Sequence, residues 1–186
     1  MYFEILILIV VIGLSVIFYE IFKLLYYMRP NKIAHYYYKY RRKKFNNDKE
    51  LKKHMNPKGG FYTIDKKLSE TPELVASLLK YKKHEWIVLA FVKNDRVECI
   101  WANKGKDSKS VGLILSFDNI VRLAKDNNYT SILMFHNHPN PNPNMYNCTQ
   151  PSDRDLETVN EWSNICKKSE VNLTVYICER GVSYKY

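Results

Sequence analysis

Cysteine is scarce in this sequence, and its scarcity narrows the class of protein. The chain has 186 residues but only four cysteines, Cys99, Cys148, Cys166 and Cys178. So few cysteines argue against a small fold stapled by disulfides. No two of them form a Cys-x-x-Cys pair, which argues against a thiolate zinc knuckle and a thioredoxin-like redox site. We therefore expect scattered, reduced cysteines in the core.

Internal repeats and low-complexity stretches are also missing. Hydrophobic residues make up 46% of the chain and charged residues 26%. This ordinary balance excludes wholesale disorder and a collagen-like sequence. A chain of this length supports one domain of roughly 100–150 residues together with a small appendage.

The N-terminal part of the chain is a long apolar run, which no charge interrupts from Ile5 to Tyr19. Extended to Leu25, the run forms a helix that matches the ~30 Å hydrocarbon core of a bilayer. Residues 1–28 are therefore predicted to form a transmembrane anchor. A cleaved signal peptide is the first alternative, but no Lys or Arg precedes the run and no Ala-x-Ala site follows it. A buried core helix is the second alternative.

The basic residues of the chain cluster directly after this run. Residues 29–58, which we call the basic segment, hold eleven Lys or Arg against two acidic residues, whereas the rest of the chain is nearly neutral. The positive-inside rule therefore predicts a single-pass membrane protein whose C-terminal domain is cytosolic. A basic segment beside a membrane span favours contact with anionic lipid. Nucleic acid is the less favoured partner, suggested by tyrosines interleaved among the basic residues.

The sequence after the basic segment alternates between patterns typical of helices and of strands. Helices are predicted over 71–82, 116–127 and 152–168, and strands over 85–93, 96–103, 130–135, 171–178 and 182–186. This mixed order predicts an α/β sandwich. Because Gly59-Gly60 marks a boundary, the chain divides into an anchor (1–28), a basic juxtamembrane linker (29–60) and a domain (61–186).

Chemistry-bearing residues concentrate after the third predicted strand. His136 and His138 are two residues apart, and alternate residues of a strand share one face, so both imidazoles can bind one metal ion. Pro139 ends the strand and leaves the pair at an exposed end. Asp155, in the first turn of the next helix, is placed to be a third ligand, and three ligands with an open position are typical of catalytic zinc. His-x-His alone is common, however, and Ser152-x-x-Asp155 alone is a helix capping box.

The ordered combination of strand, His-Asn-His-Pro, loop, Ser-x-x-Asp and helix resembles the JAMM, or MPN-plus, family of zinc metallopeptidases, and within it the RadC-like branch. The resemblance runs from about Lys83 to Asp155, and more weakly to Tyr186. It implies an MPN/JAB fold, a deaminase-like mixed-sheet α/β sandwich, with one zinc ion per chain. It also implies hydrolysis of a peptide or isopeptide bond in a protein substrate, typically a bond to ubiquitin or a ubiquitin-like modifier.

The family pattern implies a role for each matching residue. Three residues match the zinc ligands: His136, His138 and Asp155. Ser152 matches the serine that hydrogen-bonds the tetrahedral intermediate. The family also needs a glutamate, acting as general base, at the start of an earlier strand, where Glu85 fits. Glu98, in the middle of the following strand, is the alternative base.

The sequence departs from the family in the loop after the histidines. Twelve residues separate Pro139 from Ser152, which is more than the family usually has, and Asn140-Pro141 replaces the Ser-Gly of RadC-like members. The alternative function is therefore a non-catalytic MPN- or RadC-like module that binds a protein modifier or DNA. Such a module predicts no stoichiometric zinc.

Overall fold

The structure is a computed structural model, and it describes residues 2–27, 29, 32–142 and 146–186. Three predicted features are therefore described only in part. Residues 1 and 28 of the anchor, 30 and 31 of the basic segment, and 143–145 of the loop before Ser152 lie outside the described residues.

The described chain forms six α-helices and seven strands. The helices are α1 (Tyr2–Tyr27), α2 (Ile33–Tyr40), α3 (Asp48–His54), α4 (Thr71–Leu79), α5 (Phe117–Asp126) and α6 (Asp153–Lys168). The strands are β1 (Lys43–Lys44), β2 (Gly60–Lys67), β3 (Trp86–Lys93), β4 (Arg96–Lys104), β5 (Ser131–Asn137), β6 (Asn172–Glu179) and β7 (Val182–Lys185). Every helix and strand predicted after residue 70 is confirmed, with ends that differ by no more than three residues.

The strands form one mixed sheet in the order β1-β2-β4-β3-β5-β6-β7. The β1–β2 and β5–β6 pairs are parallel, and the other pairs are antiparallel. The predicted mixed α/β architecture is therefore confirmed. β5, which carries His136, lies between β3 and β6, so the candidate site starts from an interior strand with a partner on each side.

Helices cover both faces of the sheet, and the sequence of β3 shows why. Its residues, WIVLAFVK, are buried along nearly the whole strand. Ile87, Leu89 and Phe91 pack with residues of α2, α5 and α6, whereas Val88 and Ala90 pack with residues of α3 and α4. A strand that is buried on both faces has a continuous apolar run instead of an alternation. The sheet is therefore the middle layer of the domain.

Most of the basic segment belongs to the folded domain, so its prediction as a linker is wrong. α2 buries Ala34 and places two tyrosines on the sheet. The Tyr37 ring lies 6.2 Å from the Trp101 ring, and the Tyr38 ring lies 5.6 Å from the Phe61 ring. The tyrosines that interleave the basic residues thus supply a packing face, while Lys and Arg side chains stay on the outside.

The predicted domain boundary at Gly60 also moves, because α3 and β1 add to the same fold. β1 pairs in parallel with β2. α3 buries Leu51, and Met55 follows it into the core. Asn47 caps this helix by accepting a hydrogen bond from the Glu50 backbone N–H at 2.9 Å. The folded domain therefore begins near Ile33.

α1 is the candidate membrane span. Glu4–Tyr26 is 23 residues long and apolar enough to cross a membrane, and its most apolar window is 0% buried. A signal sequence and the core helix of a soluble protein pass the same test of length and composition. Near the end of α1, Lys23 pairs with Glu20 at 2.8 Å and lies 4.5 Å from the Tyr40 ring of α2. The contact of Lys23 with Tyr40 joins α1 to the domain.

Candidate metal centre

β5 delivers the two histidines to one end of the sheet. His136 is buried within the strand, and Asn137 is the last strand residue. Pro139 has no backbone N–H and cannot extend the ladder. Because Ile87 on β3 pairs with His136 in antiparallel register, Glu85 comes level with His138. The register alone therefore brings the predicted base beside the predicted ligands.

The N-terminus of α6 supplies the third side chain. Ser152 is the N-cap, and its Oγ accepts a hydrogen bond from the Asp155 N–H at 3.3 Å. The Asp155 carboxylate in turn accepts hydrogen bonds from the Ser152 N–H at 2.8 Å and from its hydroxyl at 2.6 Å. The capping box is therefore present. It fixes the orientation of the same carboxylate that faces the histidines.

Three ligand side chains converge between β5 and α6. The Nε2 atoms of His136 and His138 are 3.0 Å apart. Asp155 Oδ1 lies 3.4 Å from His136 Nε2, and Asp155 Oδ2 lies 3.4 Å from His138 Nε2. Two ligand atoms each ~2.05 Å from a tetrahedral zinc are about 3.3 Å from one another. The spacing fits one tetrahedral ion, and the group could hold a metal ion.

A further hydrogen bond aims His138 at this point. Its Nδ1 lies 3.1 Å from the carbonyl oxygen of Cys148. A proton on Nδ1 makes this hydrogen bond and leaves the Nε2 lone pair for a metal ion, as in many metal sites with histidine ligands. Cys148 lies in the long loop, so this loop supports the site through its backbone.

The charges of the site are strongly coupled. Burial raises the pKa of Asp155, but hydrogen bonds from His136, His138 and Ser152 outweigh burial and hold this pKa far below its usual value. Burial lowers the pKa of His138, but the hydrogen bond and charge of Asp155 and the charge of Glu85 raise it overall. Asp155 is therefore a carboxylate, which suits a metal ligand.

Glu85 lies in the same pocket as two residues of the ligand group, His136 and Asp155. This pocket has a volume of about 280 Å³ and is lined by His136, Ser152 and Asp155 as well as Glu85. Burial raises the pKa of Glu85 to about 7, although His138 opposes the shift. A carboxylate with a pKa near neutral can both accept and return a proton.

Glu98, the alternative base, lies elsewhere. Its carboxylate on β4 accepts a hydrogen bond from the Tyr129 hydroxyl at 3.1 Å, and it does not line the pocket of Glu85. The structure therefore brings together all five residues of the sequence-based site, and it leaves the alternative glutamate outside.

Sequence reasoning missed the role of Asn137, which lies between the two histidines. Its side chain is buried, accepts a hydrogen bond from the Trp86 N–H at 2.8 Å and donates one to the His84 carbonyl at 3.1 Å. These bonds hold the backbone on both sides of Glu85. The available signal was the alternation of the strand, which turns the middle residue of His-x-His away from the metal.

Five apolar side chains lie in the walls of this pocket, among more numerous polar and charged ones. They come from the sheet, from α6 and from the loop before α5, as Ile87, Val111, Leu113, Met134 and Trp162. Trp162 is held in place by stacking on Phe117, with ring centroids 4.0 Å apart. Glu85 itself is only 8% exposed, and this burial is the main cause of its raised pKa, to which the negative charge of Asp155 adds.

A comparison with models of known protein families and a comparison with curated proteins both give no match for this chain. The candidate site therefore rests on its own geometry: a spacing of ligand atoms that fits a metal ion and a buried carboxylate beside them.

Proposed function

We propose that the folded domain is a zinc-dependent metallopeptidase of the JAMM type that hydrolyses a peptide or isopeptide bond in a protein substrate. The bond to a ubiquitin-like modifier is the typical target of the family that the sequence resembles. One observation carries the proposal: His136, His138 and Asp155 converge within ligand distance, and Glu85 lines the same pocket as His136 and Asp155. Metal-assisted hydrolysis needs this combination of ligands and a nearby base.

The ligand types restrict which metal ions fit the site but do not identify one. Two imidazoles and one carboxylate suit zinc hydrolases, and they also suit the Fe(II) site of oxygenases. The buried carboxylate of Glu85 favours zinc, because hydrolysis needs a proton acceptor beside the metal.

The residues of the pocket would act as follows. When bound, zinc supplies Lewis acidity, which polarises a carbonyl group and makes a water molecule acidic near neutral pH. Glu85 accepts a proton from the attacking water on a carboxylate oxygen and returns it to the leaving amine nitrogen. Ser152 Oγ, whose proton is donated to Asp155 in the structure, turns to donate it to the oxyanion.

The alternative is the non-catalytic binding module, and one observation favours it. The capping box gives both Ser152 and Asp155 a structural role that needs no metal. A module of this kind would bind a protein modifier or DNA through the same domain. It differs from the enzyme in a measurable way, because it binds no stoichiometric metal.

The location is part of the proposal. α1 would anchor the protein in a membrane as a single pass, with the domain on the cytosolic side. Exposed basic residues at the end of α2 and after it would contact anionic lipid: Lys39, Arg41, Lys43 and Lys44. Nucleic acid is less favoured, because two of the interleaved tyrosines, Tyr37 and Tyr38, pack on the sheet.

The test is the metal content and hydrolytic activity of the full chain in lipid nanodiscs. After exposure to zinc, iron(II) and manganese(II) together, we expect one zinc per chain by elemental analysis. Glu85→Gln should keep the zinc and abolish cleavage of isopeptide-linked ubiquitin-like dimers. Glu98→Gln is the matched control and should keep both the bound zinc and the cleavage activity.

Three outcomes would contradict the proposal. A wild-type protein without stoichiometric metal would favour the binding module. Iron in place of zinc would point to redox chemistry. Loss of activity in Glu98→Gln, with full activity in Glu85→Gln, would move the base to Glu98.

A further inference from the structure

A second and larger cavity borders the metal centre. Its volume is about 500 Å³, within the roughly 300–1,000 Å³ typical of ligand sites. Asn137 and His138 line it, whereas His136 and Asp155 line the smaller pocket of Glu85. The ligand group therefore separates two cavities, and a substrate that crosses the centre has room on each side of the bond that is cut.

The larger cavity is lined by basic side chains. Lys80, Lys82 and Lys83 come from the connection between α4 and β3, and Arg180 comes from the turn between β6 and β7. In the part of the chain that the structure describes, none of the three lysines forms an ion pair. Their charge is available to a ligand.

Glu179 is the one acidic residue among the described residues that line this cavity. Its side chain is engaged, because Oε1 accepts a hydrogen bond from Asn140 Nδ2 at 2.6 Å and Oε2 accepts one from the Cys148 N–H at 3.2 Å. The residue is only 6% exposed. It therefore supports the loop, and its one negative charge is outnumbered by the four cationic side chains of the cavity.

The basic lining is held in place without a ligand. Lys82 Nζ donates a hydrogen bond to the Lys52 carbonyl at 3.1 Å and lies 4.7 Å from the Trp86 ring centroid. The stem of Lys80 packs on Gly181, where an added Cβ would come within 2.9 Å of Lys80 Cδ. Pre-placed charge lowers the entropy that a ligand must lose on binding.

The geometry points to an acidic stretch of the protein substrate as the occupant of this cavity. The inference rests on the proposed function, because such a stretch would lie beside His138, next to the bond that is cut. Leu79, Pro139 and Cys178 provide apolar surface between the cationic groups, which suits a polypeptide with mixed side chains. A nucleic acid would need aromatic platforms for successive bases, whereas Tyr81 is the one Phe, Tyr or Trp among the described residues that line this cavity.

The test uses the full chain in nanodiscs of neutral phosphatidylcholine, so that lipid charge does not compete. The probe is a fluorescein-labelled decapeptide of Glu, Asp and Ala, measured by fluorescence anisotropy with EDTA present. We expect Lys80→Glu/Lys83→Glu to weaken binding about tenfold, since two modest attractions become repulsions. The matched control, Arg122→Glu/Lys167→Glu, reverses two exposed charges outside the cavity and should change binding less than about twofold.

Two further measurements distinguish the loss of a charge contact from misfolding of the variant: one uses a basic peptide, and the other uses a variant with neutral side chains. A decapeptide with Lys in place of Glu and Asp should bind the Lys80→Glu/Lys83→Glu variant more tightly than it binds the wild type. Lys80→Gln/Lys83→Gln should also weaken binding of the acidic peptide, but by a smaller factor than Lys80→Glu/Lys83→Glu does. Equal losses in the cavity variant and the control would overturn the inference, and so would an oligonucleotide that binds through these lysines when the peptide does not.

The same measurements separate this inference from the proposed function. Peptide binding in EDTA needs neither metal nor hydrolysis. A chain that binds the acidic peptide but no zinc would refute the enzyme and keep the cavity as a peptide site. A chain that binds zinc but not the peptide would refute the inference alone.

Discussion

Zinc should stabilise the folded domain, and His138→Ala should remove that stabilisation. A ligand that binds only the folded state at 100 times its Kd raises the free energy of unfolding by about 2.7 kcal/mol. For a domain of ~150 residues, each kcal/mol raises Tm by roughly 2–4 °C. We therefore expect zinc to raise the Tm of the wild type by about 5–10 °C.

The geometry of the site explains why removing His138 alone should abolish the stabilisation by zinc. Without the His138 imidazole, His136 and Asp155 remain, and two ligands do not enclose a tetrahedral ion. The variant also loses the hydrogen bond from His138 Nδ1 to the Cys148 carbonyl, which costs about 1–3 kcal/mol in the metal-free state. The quantity to compare is therefore the zinc-induced change in Tm within each variant.

Ser152→Ala is the matched control. It keeps all three ligands but loses the helix cap, at about 1 kcal/mol. Its Tm should be lower than that of the wild type in EDTA, yet zinc should still raise it. The assay is thermal unfolding of the full chain in mild detergent, with EDTA or with zinc, followed by circular dichroism. An equal zinc-induced rise in His138→Ala and wild type would refute the metal centre as drawn.

The remaining predictions concern pH, packing and positioning. Metal-free protein should lose stability from about pH 5 to 8, because the folded state raises the pKa values of His138 and Glu85 and holds protons that the unfolded chain releases. Thermal scans should show the zinc-induced rise in Tm growing over the same range, since zinc displaces a proton from His138. Leu51→Ala should lower the free energy of unfolding, measured in urea, by about 2–5 kcal/mol, because Leu51 is buried. Exposed Lys49→Ala should change it by no more than about 0.5 kcal/mol. Equally small changes in both variants would restore the interpretation of this segment as a linker. Asn137→Ala should keep zinc but reduce hydrolysis, and unchanged turnover would show that Asn137 does not position Glu85.

Local patterns carried most of what could be predicted. The strand that leads into His136, the proline that ends it and the Ser152-x-x-Asp155 cap each depend on neighbours within a few positions. Local sequence did not decide whether Asp155 is part of a capping box or a metal ligand. The structure makes them compatible, because one carboxylate accepts the cap hydrogen bonds and faces both histidines.

The basic segment shows where local patterns mislead. Its charge predicts a solvated linker, but α2 turns tyrosines and Ala34 to the sheet and keeps most charges outside. The stretch from Gly60 to Lys67 was likewise not predicted as a strand, although β2 pairs with both β1 and β4. Such segments take their structure from partners distant in the sequence.

By itself, the sequence determined the apolar helix, the helices and strands after residue 70, and the convergence of two histidines on one face, because these follow from periodicity and chain punctuation. Only the tertiary structure decided that Glu85 shares a pocket with His136 and Asp155 and that Glu98 does not, since strand register sets which residues meet across the sheet. It also decided that Asn137 holds the backbone around Glu85 and that lysines from one loop face the cavity beside His138. Contacts of this kind join residues up to about fifty positions apart, and no local pattern encodes them.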